Sequence, residues 1–217
     1  DLFSGIVYGA RISLTVGLIG VAISLTLGIV LGGMAGYFGG LVDAAIQRVI
    51  EILRSLPELP MWMALSAALP VTWSPVLIYI GITVILGLLD WPGLARAVRS
   101  KLLSLREEDY ATAAVLMGAK PRRVIARHLL PGFTSHLIAS ATLSIPTMIL
   151  GETALSFLNL GLKRPAVSWG VLLNEAQNLT VVTVYPWLMA PMIPVIIVVL
   201  AFNFLGDGLR DAADPYA

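Results

Sequence analysis

Four charged side chains stand within or beside long apolar stretches, where a charge is costly unless it is paired or used. Glu51, Arg54 and Glu58 are spaced i, i+3 and i+7, which places all three on one face of a single helix. They could form a self-compensating ion pair near one end of that helix, or a gate or substrate contact. Glu152 follows another apolar stretch and either hydrogen-bonds the turn after it or faces a cavity. For each of the four candidates we favour the structural role.

The side chains that usually carry catalysis or hold metals are sparse. His128 and His136 lie apart with no cluster of carboxylates nearby, which argues against a metal site. Ser135 precedes His136 but has no third partner in the sequence, so a nucleophilic triad is not expected. The chain contains no cysteine and no Gly-x-x-x-x-Gly-Lys-Ser/Thr phosphate loop. We therefore expect no catalytic site, no metal and no bound cofactor in this chain.

Residues 109–131 differ in composition from their apolar surroundings. The pattern predicts a small-residue helix over residues 112–119 that stops at Gly118, where glycine commonly ends helices. Pro121 then suits the first position of the next turn, because that position needs no N–H. The helix either enters a groove on another protein or lies at a membrane surface with the following arginines on lipid phosphate. Both interpretations stay open on the residues alone.

The composition indicates which kind of secondary structure, in which class of protein, positions the side chains named above. Hydrophobic residues make up 58% of the chain, charged residues only 12%, and the mean hydropathy is +0.88. Soluble domains carry about 25% charged residues. An all-α integral membrane protein with one domain over residues 1–217 is therefore expected. Nothing in the sequence indicates a nucleic-acid partner.

Stretches without Asp, Glu, Lys or Arg are long enough for about 20-residue membrane helices. Five spans are predicted, the second kinked at Pro57 and Pro60 and the third interrupted at Asp90. They cover about residues 12–37, 41–69, 76–98, 133–157 and 186–205.

The distribution of basic residues predicts the orientation. Most of the 14 Lys and Arg lie between Arg96 and Arg127, so the positive-inside rule places a loop over about residues 99–130 in the cytoplasm. The C-terminus is then cytoplasmic, and residues 158–185 lie outside. Five spans with that orientation put Asp1 outside and imply a further helix before it.

Small residues recur at every fourth position of the first span, which leaves one helix face nearly bare. Such faces allow close helix–helix approach in membranes. We favour tight packing inside one subunit over dimerisation. The positions are Gly20, Ser24, Gly28, Gly32, Gly36 and Gly40.

The 109–131 segment also contains a spaced motif: Thr112, Ala113, Ala114, Gly118, Ile125, Leu130 and Pro131. This motif resembles the "EAA" loop of membrane subunits of ATP-binding-cassette importers, with Thr112 in place of the family's Glu. Further stretches are similar to the C-type permease of dipeptide and oligopeptide importers. They are YGARISLTVG, GYFGGLVD, LGETALSFLNLGL, SWGVLLNEAQ and LAFNFLGDGLRDAADP.

The resemblance implies a type I importer permease fold of six helices, the first of which is absent here. It further implies a multi-pass subunit of the cell (inner) membrane that pairs with a second permease, two ATP-binding subunits and an extracytoplasmic solute-binding protein. ATP would be bound by the partner subunits. The residues implied to dock on the ATPase are Thr112, Ala113, Ala114, Gly118, Ala119, Leu130 and Pro131.

The solute class stays open in the sequence, because such families carry dipeptides, oligopeptides, nickel chelates, sugars or opines. The alternative function is a self-contained secondary transporter or channel, which would show inverted repeats that we do not find. In the outer segment, Lys163, Arg164 and Trp169 are the expected contacts for the solute-binding protein.

Overall fold

The chain forms a bundle of helices around two main apolar cores. The computed structural model describes residues 1–212, with the backbone alone at residues 179–181, and every regular element in that part of the chain is helical. The last residues of the LAFNFLGDGLRDAADP stretch lie outside the described residues. The α-helices are α1 Leu2–Phe38, α2 Gly40–Arg54, α3 Glu58–Ala67, α4 Pro75–Leu105, α5 Asp109–Leu116, α6 Pro121–Arg123, α7 Thr134–Phe157, α8 Trp169–Ala176, α9 Leu179–Val184 and α10 Met192–Ala212.

Four helical stretches of the described residues are long and apolar enough to cross a membrane on their own. A π-helix, Val124–Leu129, and a 3₁₀ turn, Leu130–Phe133, join α6 to α7, so that residues 121–157 form one of these stretches. The four are Leu2–Phe38, Pro75–Leu105, Pro121–Phe157 and Pro186–Ala212.

The second predicted span forms two helices, α2 and α3, rather than one. The helix is interrupted at residues 55–57, where Pro57 precedes the first turn of α3. At one end Asp43 pairs with Arg99 of α4, and at the other the Ser66 hydroxyl donates to the Leu160 carbonyl oxygen. The proline-rich break was expected as a kink. The second predicted crossing is therefore divided into α2 and α3, neither of which is among the four stretches that are long and apolar enough to cross a membrane on their own.

The small-residue face of α1 packs on α4 of the same chain, and the two helices run parallel. A Cβ at Gly32 would lie 2.5 Å from the Ala95 carbonyl oxygen, and one at Gly36 would lie 2.8 Å from that of Arg99. Two helix backbones can approach this closely only where no side chain lies between them. The interpretation as packing within one subunit is the one that these contacts support.

The predicted interruption of the third span at Asp90 is wrong, because α4 continues through Pro92. Proline in a helix removes one N–H donor and kinks the helix without having to end it. Packing on α1 holds α4 on both sides of the proline, with Gly87 against Gly20 and Leu94 against Gly28. The Asp90 carboxylate accepts a 2.7 Å hydrogen bond from the Ser24 hydroxyl.

Helix α7 lies against α1 and closes the larger core. A Cβ at Gly17 would meet the Ile149 side chain at 2.8 Å, and one at Gly20 would meet Met148 at 3.2 Å. Since Ser13 hydrogen-bonds Glu152 further along, α7 runs antiparallel to α1. The fully or nearly buried side chains of this core include Val16, Ile82, Leu86, Met148, Ile149, Leu155, Leu162 and Trp169.

Candidate functional site

Helix α5 and the glycine after it form a rigid helix–stop unit. The helix ends in a Schellman motif, in which the Gly118 N–H donates to Val115 O (2.9 Å) and the Ala119 N–H donates to Ala114 O (3.0 Å). Gly118 has φ +80°, a conformation that costs other L-residues about 1–2 kcal/mol. The predicted stop at Gly118 is confirmed, and the helix itself begins three residues earlier than predicted, at Asp109.

The alanine face of α5 points into the protein rather than outward. Ala111 and Ala114 are 1% and 2% exposed. Their lack of bulk lets α5 lie against the chain's own second core, so Ala114 is not available to a partner, contrary to the docking assignment made from the sequence. This core comprises Val98, Leu102, Ala111, Ala114, Val124, Leu129 and Leu137.

The outward side of α5 carries large apolar residues, which we call the apolar tip: Tyr110, Val115, Leu116 and Met117. Leu116 is 82% exposed and Met117 is 81% exposed. Thr112 and Ala113 are also exposed on this side. Sequence reasoning missed the tip, although the apolar run Val-Leu-Met directly before the glycine stop was a readable signal.

The remaining motif residues form the base beneath the tip. Ala119, Ile125 and Leu130 are partly buried and pack against the second core. Pro131 is exposed and lies in the 3₁₀ turn that leads into α7. The motif therefore divides into an outward group and an inward group, which the spacing alone did not separate.

Two arginines fasten the helix ends beside α5. Arg99 of α4 makes a two-pronged pair with Asp43 of α2, with both nitrogen–oxygen distances 2.5 Å. The Arg106 guanidinium donates to the carbonyl oxygens of Gly36 and Tyr37 at 3.3 Å, which satisfies the end of α1. The ends of α1, α2 and α4 are thus tied together where α5 is seated. From the sequence, both arginines were counted only among the basic residues of the predicted cytoplasmic loop.

The predicted shared face of Glu51, Arg54 and Glu58 is wrong, because the break at residues 55–57 places Glu58 on a separate helix. Glu51 instead pairs with Arg48 at 3.1 Å on the exposed side of α2. Arg54 lies over Gly93, with its Nη2 2.7 Å from where a Cβ there would stand. No carboxylate among residues 1–212 pairs with it. Arg54 and Glu58 both stay exposed beside the break.

Glu152 lies inside the protein wall and not on a cavity. Its side chain is 0% exposed and accepts a 2.8 Å hydrogen bond from Ser156, which lies in the last helical turn of α7, where the SFLNLGL sequence begins. The expectation that it bonds this turn is confirmed. A cavity of about 610 Å³ opens nearby between α1, α4 and Pro165, and Glu152 does not line it.

Residues 158–176 fold over the end of the bundle opposite α5, and we call them the platform. Trp169 is 2% exposed, and its Nε1–H donates to the Ile6 carbonyl oxygen at 3.1 Å. It therefore cannot be the surface contact that the sequence suggested. Arg164 forms a two-pronged pair with Glu175, and this guanidinium holds the pKa of Glu175 below its usual value. Lys163 and Arg164 are exposed.

A protein-family model described as "Binding-protein-dependent transport system inner membrane component" matches residues 28–216. The chain is 40% identical over 216 residues to the dipeptide transport system permease protein DppC of Alkalihalophilus pseudofirmus, covering 99% of this chain and 68% of that protein. It is 39% identical to the oligopeptide transport system permease protein OppC of Haemophilus influenzae, covering 99% of this chain and 67% of that protein. The chain thus spans about two thirds of the length of these relatives.

The fold has a counterpart among solved structures. A chain of the inward-facing MetNI methionine ABC transporter superposes with a TM-score of 0.71. The two share 19% sequence identity, and the match covers 98% of each chain. At that identity the likeness concerns the helix arrangement.

Proposed function

Because the chain belongs to the family of binding-protein-dependent transport system inner membrane components, we propose that it forms half of the solute pathway of an ATP-driven importer. Its fold is that of a type I importer permease. Relatives named as dipeptide and oligopeptide permeases support peptides or related small solutes as the cargo. Family membership also decides against the alternative of a self-contained secondary transporter or channel.

The observation that carries the proposal is the apolar tip. Leu116 and Met117 are over 80% exposed at the end of a short helix, on a rigid stop. An apolar helix tip of this kind suits a hydrophobic groove on another protein. We assign that groove to a cytoplasmic ATPase subunit, with Thr112, Ala113 and Gly118 on the approaching side.

Coupling of ATPase closure to the helix bundle then depends on the residues that pack behind the apolar tip. A force applied to Leu116 would be transmitted to the second core through Ala111 and Ala114, which are almost fully buried. Packed cores resist small deformations. Closure of the ATPase subunits would therefore move α4 and the start of α7 together, rather than bend α5 alone.

The complete importer would contain a second, non-identical permease, two ATP-binding subunits and an extracytoplasmic solute-binding protein. ATP would be bound and hydrolysed on the partner subunits, and this chain would hold no cofactor. Arg54 and Glu58, exposed at the break in the second crossing, are our candidates for the pathway face. A charged side chain within a membrane crossing is costly where it faces lipid and acceptable where it faces water or a partner protein.

The proposed orientation places the 99–130 loop and the C-terminus in the cytoplasm and the platform outside. The chain has no cysteine, so single cysteines can report it. Ser104→Cys and Lys120→Cys should react with an impermeant thiol reagent only from the cytoplasmic side, and Thr72→Cys only from outside. The reverse labelling pattern would refute the orientation.

The function itself is tested by uptake into proteoliposomes. The complex of this chain, its partner permease and both ATPase subunits should accumulate radiolabelled peptide when ATP and the binding protein are supplied. Vesicles lacking this chain should not. Equal uptake without this chain, or uptake that needs no ATP, would contradict the proposal.

A further inference from the structure

Glu152 is the common acceptor of two serine hydroxyls that come from different helices. Ser13 of α1 donates at 3.1 Å and Ser156 of α7 donates at 2.8 Å. Ser168, the N-cap of α8, is also fully buried and directly precedes Trp169. Since the Glu152 side chain is fully buried, the two hydroxyls that donate to it take the place of water around it.

Each of these serines also accepts a backbone N–H of the platform. Trp169 N–H donates to the Ser13 hydroxyl at 3.2 Å, and Leu162 N–H donates to that of Ser156 at 3.0 Å. Val171 N–H donates to its own N-cap hydroxyl at 3.2 Å. A hydroxyl has one proton and two lone pairs. Two links therefore run from a platform N–H through a serine hydroxyl to Glu152, one from Trp169 through Ser13 and one from Leu162 through Ser156.

The platform is also seated closely on α7. A Cβ at Gly161 would lie 2.5 Å from the Ser156 nitrogen, and one at Gly170 would lie 2.7 Å from the Thr153 carbonyl oxygen. These are backbone atoms that cannot move aside separately. The platform, α1 and α7 therefore shift together as long as the Glu152 cluster is intact.

We propose that Glu152 is a positioning residue that transmits docking of the solute-binding protein from the platform to α1 and α7. This inference rests on the proposed function, since it takes the exposed side of the platform as the docking side. Lys163 and Arg164 lie on that side, whereas Glu152 itself never touches the partner or the solute.

Ser13 donates to one carboxylate oxygen of Glu152 and Ser156 donates to the other, so only a side chain with two acceptor oxygens can end both links. Glu152→Gln keeps the size of the side chain and replaces one oxygen with an NH₂ group, which is a donor facing hydroxyls that already donate. At least one serine must then turn its proton away. The platform keeps its packing on Gly161 and Gly170 but loses a fixed connection to α1 or α7.

The test measures ATP hydrolysis by the reconstituted complex with and without saturating solute-loaded binding protein. For Glu152→Gln we expect the ratio of stimulated to basal rate to fall about tenfold, equivalent to about 1.4 kcal/mol. A purely structural role would lower both rates together and leave the ratio unchanged. Glu51→Gln makes the same chemical change in an exposed ion pair, and its ratio should stay within about twofold of wild type.

Ser13→Ala is the second variant, because it removes only the link to α1 and leaves the carboxylate in place. It should lower the ratio in the same direction, by a smaller factor. A wild-type ratio in either assembled variant overturns the proposal, and so does failure of both variants to assemble, which would make the cluster a folding requirement only. A wild-type complex that shows no stimulation would instead refute the proposed function.

Discussion

Replacing Leu116 and Met117 together with aspartate should detach the ATPase subunits from the membrane complex. Each is more than 80% exposed in the isolated chain and would be buried on docking. Burying a side chain of this size contributes about 1.5–3 kcal/mol. The pair is therefore expected to weaken attachment by about a hundredfold or more, at about 1.4 kcal/mol per tenfold.

The measurement is the amount of ATPase subunit that purifies with the complex, together with coupled transport. Arg122→Gln and Arg123→Gln are the matched controls, because they change exposed charges within the same loop. Exposed charges contribute less than about 1 kcal/mol, so each control should keep most of the attachment. A double aspartate variant that inserts normally and transports at the wild-type rate would remove the docking assignment.

Gly32→Ala should destabilise the folded subunit strongly, while Gly33→Ala one residue away should not. The new Cβ at position 32 would lie 2.5 Å from the carbonyl oxygen of Ala95 and 2.9 Å from its Cα. Both are backbone atoms, so α1 and α4 must separate. The Cβ at Gly33 would meet the side chains of Ile125 and Leu102 at ordinary contact distances of 3.6 and 3.9 Å.

Overpacking of this kind costs about 1–3 kcal/mol. The unfolding temperature of the detergent-solubilised complex should fall clearly for Gly32→Ala and stay near that of the wild type for Gly33→Ala. The two variants differ only in which side of α1 receives the methyl group. Equal unfolding temperatures would mean that α1 does not rest on α4 as described.

The sequence predicted those parts of the structure that depend on periodicity and on local backbone chemistry. Gly28, Gly32 and Gly36 predicted a close helix contact by their spacing, and Gly118 predicted the helix stop by the conformation that glycine permits. Pro57 predicted a disturbance in the second crossing. Each of these follows from properties of the residue and its near neighbours.

What the sequence did not predict depends on which faces meet in three dimensions. Ala114 was assigned to a partner by its place in the motif that resembles the EAA loop, and only the fold shows that it packs against the chain's own core. Trp169 resembled a surface residue in a loop until Ile6 proved to accept its indole N–H. The contact of Ser13 with Glu152 joins residues that are distant in sequence, and no spacing rule connects them. Pro92 indicated a break that packing on α1 prevents.

The most direct test of docking through the apolar tip uses a single cysteine at Met117, in a chain that otherwise has none. A photoreactive group attached to Met117→Cys should yield, on illumination of the assembled complex, an adduct between this chain and an ATPase subunit. The same group on Thr72→Cys, at the other end of the bundle, should yield no such adduct. An adduct with lipid alone at position 117, or ATPase adducts that form equally from position 72, would contradict docking through α5.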